Sequence, residues 1–346
     1  MPTSLSLRTL TAALVVLFAL DNVLLLSLLG LSPFLVAALA LIVPFPLAYL
    51  GWRAMPGERR VSIHILVLCL AIAAILLVAG GEGRLFYAPP DWQIRDAVLA
   101  DMGNHRWPFD YWLEGKAQIL RAPVGMYLIP ALLGGASQIG RDWVLLAQNS
   151  LILGLLLAQG SILFEGRRAR LSALVSFVMF SGLEILGSIL SEIATGTANW
   201  NHIERWASNY QYSAHITQLF WAPQHAFAGW TAALLYLLWR RKLVPIGLFA
   251  ASLPLVALWS PLVLFGALPF AAFAGVQTLL TKTWDRRDVA LSMIATLLAI
   301  PTFLYLSTDA AAVGGHLRPP TLLGYALIML FEVIPFLLPL LSDRTG

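Results

Sequence analysis

The run Glu82-Gly-Arg84-Leu-Phe-Tyr-Ala-Pro-Pro-Asp91-Trp-Gln-Ile-Arg95-Asp96 gathers carboxylates and guanidiniums into one short stretch. Pro89 and Pro90 end the extended part, so Asp91 falls at the start of a short helix. A carboxylate there has two uses. It can accept from the free backbone N–H groups of the first turn and complement the helix dipole. Alternatively it can serve as a general base, with Asp96 or Glu82 tuning its pKa, positioning substrate or helping to hold a divalent cation such as Mg or Mn. Arg95 lies four residues on, on the same side of that helix, and favours the ionised form of Asp91. Aromatic and polar residues continue through Asp101, His105 and Arg106 to Trp107-Pro108-Phe-Asp110-Tyr111.

A second dense segment runs from Trp200 through His202, Glu204, Arg205 and Trp206 to His215, Trp221, Gln224 and His225. It reads either as an amphipathic interfacial helix or as part of a binding site. Arg205 and His225 are the preferred partners for a phosphate, with Arg84, Arg106, Arg121 and Arg318 as further candidates. The spacing of His202, Glu204 and His215 matches no established ligand motif, so the metal stays unknown and none is required by the sequence. Ser181, Glu184, Ser188 and Ser191 recur at helical spacing as one polar stripe, with Gln148 and Asn149 at similar depth in the preceding helix. Asp21, Glu184 and Glu332 lie within apolar stretches, where a carboxylate is either functional or bonded to a neighbouring helix.

The elements that carry these residues are set by composition. In 346 residues, 59% of side chains are hydrophobic, 12% are charged, and mean hydropathy is +0.78. A soluble domain carries roughly a quarter charged residues, so the chain is a membrane protein. Its net charge of +4 sits in short connectors and does not imply nucleic acid. The single cysteine, Cys69, excludes a disulfide framework. Counting about 20 apolar residues per crossing predicts an all-α bundle of about ten spans, near 9–30, 34–52, 62–80, 142–164, 171–190, 223–241, 243–258, 262–281, 288–306 and 322–341. The first reads as a retained anchor rather than a cleaved signal peptide. Basic connectors at Arg53, Arg59 and Arg60, at Arg167, Arg168 and Arg170, at Arg240, Arg241 and Lys242, and at Lys282, Arg286 and Arg287 face the cytoplasm by the positive-inside rule. Both termini are then cytoplasmic and one membrane domain spans 1–346. A large outer loop at 81–141 and a second at 191–222 hold six of the twelve tryptophans, together with His105, His202 and His215; His225 and His316 also map outside. Parity leaves the apolar stretch 119–136 re-entrant or lying on the outer surface, with juxtamembrane helices around it.

The acidic first large outer loop, the Asp91-Trp start and Trp107-Pro108 followed by Tyr111 resemble the GT-C superfamily of integral-membrane glycosyltransferases. In that superfamily an acidic residue of the first outer loop is the catalytic base, and the donor is a polyprenyl-phosphate-linked sugar. The resemblance implies sugar transfer to a glycan, lipid or protein acceptor at the outer face of the cytoplasmic membrane. Asp91 and Asp96 then form the catalytic pair, with Arg84, Arg95, Glu184, His202, Arg205, His225 and Arg318 around the substrate phosphate. Here the loop follows the third span, so residues 1–60 read as an appended N-terminal hairpin. Two other classes compete: a polysaccharide or lipid-linked-sugar transporter or flippase, which needs polar groups through the full depth, and a membrane acyltransferase, which needs a deep histidine with a polar partner.

Overall fold

The computed structural model describes residues 3–57, 59–113, 115–207, 211, 213–308, 322–328 and 330–331. It is mostly helical, as the composition requires, with two short antiparallel ribbons that the all-α expectation did not contain. One ribbon pairs Ser4–Ser6 (β1) with Arg60–Ser62 (β2); the other pairs Tyr111–Leu113 (β3) with Lys116–Gln118 (β4). The chain divides into two compact units, residues 1–170 with 219–310 and residues 171–218 with 311–346.

In the first unit Ser6 accepts the Thr9 N–H at 3.1 Å and starts α1, Leu7–Leu28. Ser32 caps α2, Pro33–Ile42, which gives way at Val43 to α3, Pro44–Ala54. Pro44 and Pro46 have no N–H to donate, so the helical ladder is interrupted there. The unit continues with α4 (Ile63–Ala79), α5 (Pro90–Asn104), α6 (Gly125–Gly134) and α7 (Gln138–Gly160). Its second half comprises α11 (Pro223–Arg240), α12 (Ile246–Val256), α13 (Pro261–Thr281) and α14 (Arg286–Ser307). Among the described residues five helical stretches are long and apolar enough to cross a membrane: α1, Pro33–Ala54, Gln138–Leu163, α13 and α14. α4 and α12 are apolar but shorter, at 17 and 11 residues. The stretch 119–136 yields only the ten-residue α6, a rise of about 15 Å against a hydrocarbon core of about 30 Å.

The second unit corrects one expected span. Residues 171–190 are not one helix; α8 (Arg167–Val178) begins in the first unit and ends before α9 (Glu184–Thr195) begins, and α10 (His215–Trp221) follows. The Glu184 carboxylate accepts the Ser181 hydroxyl at 2.7 and 2.8 Å and the Gly182 N–H at 2.9 Å. α9 starts at Glu184 with Leu183 as its cap residue and no side-chain capping bond; Glu184 instead reaches back to Ser181 and Gly182, which fixes the non-helical stretch before it. The final expected span is represented by α15, Leu322–Ile328; His316, Arg318 and Glu332 lie outside the described residues.

Within the first unit the connectors sort to opposite ends. At one end Arg287 donates to the Arg53 carbonyl at 3.3 Å, Asp288 accepts the Gly247 N–H at 2.9 Å, Arg240 donates to Gln277 at 2.9 Å and Arg60 to Ser4 at 2.9 Å. The segment 80–124 and the starts of α7, α11 and α13 occupy the other. Between them α1 packs against α3, α6, α7, α12 and α14. The fully buried Asp21 accepts the Trp259 indole N–H at 2.8 Å. The Trp259 ring lies on Gly125, where an added Cβ would sit 2.3 Å from Cδ1, and the Gly125 N–H donates to Leu258 at 3.1 Å. Asp21 is therefore bonded between helices, as one of its two sequence readings required. Trp259→Phe should cost about 1–3 kcal/mol by leaving a buried acceptor unmatched. Gly125→Ala should cost a comparable amount by overpacking. Thermal unfolding in detergent checks both, and a wild-type Tm for either variant would contradict this packing.

Candidate functional site

The turn after α4 aims the first charged groups. Gly81 has φ +96°, and a Cβ there would meet Pro89 Cδ at 2.7 Å and the Tyr87 carbonyl at 3.1 Å, so only glycine fits. Gly83 follows at φ +77°. The turn buries Glu82 completely, with Oε1 accepting from Asn149 Nδ2 at 3.0 Å and Oε2 without a partner among the described residues. Burial pushes the Glu82 carboxyl up to about 8, and the Asn149 bond opposes the shift only in part.

Arg84 reaches the start of α7. Its Nε and Nη2 both donate to Asp142 Oδ2, at 3.1 and 2.6 Å, and Asp96 Oδ2 stands 3.6 Å from Nε. Partial burial, aided by the Asp142 charge and opposed by Arg84, raises Asp96 to about 6.

α5 opens on Pro90, with Pro89 as its cap residue and no side-chain capping bond. Asp91 is half-buried in the first turn and makes no hydrogen bond among the described residues, so its carboxylate is not used as a cap. The buried Trp92 anchors the helix by donating to the Phe220 carbonyl at 2.9 Å. Arg95 then lies over the Trp92 ring, 5.6 Å from its centroid, and donates from Nε to Gln224 at 3.3 Å. Its Nη1 is buried without a partner among the described residues. Burial lowers the Arg95 pKa, while Tyr127, Asp91, Asp96 and Glu82 act in the opposite direction. His225, next to Gln224, shares a 2.8 Å hydrogen bond with Ser260.

Of the residues singled out in the sequence, Asp91, Arg95, Asp96, Arg84 and Glu82 thus share one neighbourhood in the first unit, bordered by His225. Asp142, Gln224 and Tyr127 complete it and were not assigned roles from sequence; Asn149 was noted only for its depth. Asp142 drew no attention because its partner, Arg84, is remote in sequence and sits across the loop.

Glu184, His202 and Arg205 belong to the second unit. Glu184 fixes the stretch before α9, as described above. Buried Glu204 accepts the Ala214 N–H and Gln211 Nε2, both at 3.0 Å. His215 lies against Phe177 and Phe180, at ring separations of 4.5 and 4.8 Å, and pairs through Nδ1 with the Phe177 carbonyl at 2.8 Å. Burial lowers its pKa, and the hydrogen bond to the Phe177 carbonyl opposes the shift. His202 accepts the Arg205 N–H through its carbonyl, and the Arg205 side chain is exposed. Among the described residues no three His, Cys, Asp or Glu side chains are grouped to hold a metal ion; Asp96 and Asp142 are bridged by Arg84 instead. Compared with family models, curated proteins and solved structures, the chain matches none.

The raised Glu82 and Asp96 values carry a stability signature. Both lie above ordinary carboxylate values, so the folded chain binds these protons more tightly than the unfolded chain. Their contribution is present at low pH and is lost as pH rises through about 6 for Asp96 and about 8 for Glu82. Glu82→Gln keeps an acceptor for Asn149 and carries no charge. Melting temperature followed from pH 6 to pH 9 should fall in the wild type and stay flatter in this variant; equal slopes would mean that Glu82 does not titrate there.

Proposed function

We propose that the chain is an integral-membrane glycosyltransferase of GT-C type, a bundle of about ten spans that moves a sugar from a polyprenyl-phosphate donor to an acceptor at the outer face of the cytoplasmic membrane. α4, at 17 residues, reaches the lower end of the spanning range and adds to the five longer stretches. The observation that carries the reading is the pairing of Asp91, a half-buried carboxylate with no capping duty, with Arg95, a cation four residues on that keeps one donor without a partner among the described residues. Both stand at the end of the first unit opposite the basic connectors.

In this reading the acceptor hydroxyl gives its proton to Asp91 as its oxygen bonds to the anomeric carbon. The bond from that carbon to the phosphate oxygen breaks, and the electron pair leaves with the polyprenyl phosphate toward the Arg95 guanidinium. Asp96 and Arg84 hold the second side of the charge cluster, and His225 borders it.

Asp91→Asn removes the base and leaves no cap unmade. Transfer from a polyprenyl-phosphate sugar should fall about 10²–10⁴-fold, with expression and Tm near wild type. Near-wild-type transfer by the purified variant would remove Asp91 from the mechanism. Sidedness is checked separately in a Cys69→Ser background, because Arg106 and Glu165 are both exposed. Arg106→Cys should react with a membrane-impermeant thiol reagent in intact cells, and Glu165→Cys only after lysis. The reverse pattern would place the cluster on the cytoplasmic side and sink the proposal.

A further inference from the structure

The end of the first unit opposite the charge cluster holds a groove of about 570 Å³ between α3 and α14. Val43, Pro46, Leu50 and Ile294 line its length, and Arg53 and Arg287 line its mouth. The helix interruption at Val43-Pro44 and the exposed Pro46 of α3 leave this flank unfilled, while further along Gly51 brings α3 against Leu248 and Leu291.

The two arginines are an unusual pair. Arg287 donates to the Arg53 main-chain carbonyl at 3.3 Å, which draws two like charges together, and neither has a carboxylate partner among the described residues. The nearby acids are engaged elsewhere: Asp288 accepts the Gly247 and Asp285 N–H groups, and Asp285 accepts the backbone N–H of Arg287. Two guanidiniums at the mouth of an apolar channel attract an anion that carries a hydrocarbon tail. From Val43 to Arg53 the helix rises about 15 Å, half of a hydrocarbon core of about 30 Å and so the depth of one leaflet.

We infer that this groove binds an anionic phospholipid of the leaflet at the arginine end, its phosphate held by Arg53 and Arg287 and one acyl chain lying along Val43, Pro46, Leu50 and Ile294. The inference rests on α3 and α14 crossing a membrane and is independent of sugar transfer at the other end.

The test is a lipid titration of the purified full chain in detergent, read by native mass spectrometry, with phosphatidylglycerol and phosphatidylcholine of matched chains. Wild type should retain phosphatidylglycerol in preference to phosphatidylcholine. The Arg53→Gln/Arg287→Gln double variant should bind phosphatidylglycerol roughly thirtyfold more weakly, about 1 kcal/mol for each basic residue, with phosphatidylcholine unchanged. Both arginines are exposed, so the variant should keep the wild-type Tm. Arg240→Gln/Arg241→Gln, at the same end of the unit but away from the groove, should bind as wild type, and Ile294→Trp should weaken both lipids by obstructing the chain. Four results would each overturn the site: equal retention of the two lipids, equal losses in the two arginine pairs, effective competition by glycerol phosphate lacking acyl chains, or a dimer with α3 covered by a second copy.

Discussion

The buried polar side chains of α1 fix the first unit. Thr11 donates to Gln159 of α7 at 2.8 Å, Asn22 donates to the Leu255 carbonyl of α12 at 2.8 Å and accepts from Thr302 of α14 at 2.7 Å, and Asp21 takes the Trp259 indole. In an apolar bundle a polar atom without its partner costs roughly 1–3 kcal/mol, whereas apolar contacts tolerate small slips of one helix along another. Leucine-rich faces make the helices adhere, and these few bonds choose the register. The Asn22 and Asp21 contacts lie in the half of α1 nearer the charge cluster, so they also hold the segment from Leu255 to Ser260 that leads to His225.

Within the cluster the two arginines have different circumstances. Arg84 donates two hydrogen bonds to Asp142 Oδ2 and faces the Asp96 carboxylate. That network ties the turn after α4 to α5 and α7, and it leaves Arg84 little to offer a ligand. Arg95 rests on an indole, holds one amide and keeps a buried donor unmatched. A guanidinium lying on Trp92, whose own N–H is fixed to Phe220, is oriented before any anion arrives, which lowers the entropy lost on binding.

Much of this was legible in the sequence. The apolar runs gave most helices to within a few residues, and the arginine-rich connectors do collect at one end of the first unit. The charged run 82–96 contains most of the cluster. What the sequence concealed were partners remote along the chain: Asp142 for Arg84, Gln224 for Arg95, Trp259 for Asp21. Hydropathy also hid the break between α8 and α9, because Ser181 and Glu184 look like one helical stripe until their side chains are seen bonded to each other and to Gly182. The same spacing of three serves a continuous polar face or a bond across a non-helical stretch, and only the local backbone distinguishes them.

Arg84 carries a conflict inside one residue. It adopts φ +51°, a conformation that L side chains other than asparagine and aspartate seldom take and that disfavours them by about 1–2 kcal/mol. For the backbone alone, glycine would be the more comfortable occupant, as at Gly81 and Gly83, which also have positive φ. For the charges, glycine would abandon Asp142 and Asp96 to mutual repulsion at the edge of an apolar bundle. Selection for thermal robustness and selection for the charge network therefore pull on this position in opposite directions. A library randomised at residue 84 and sorted first for folding, then for a compact loop, should enrich different letters in the two rounds, and the divergence would measure how strongly electrostatics outweighs conformational ease at this turn.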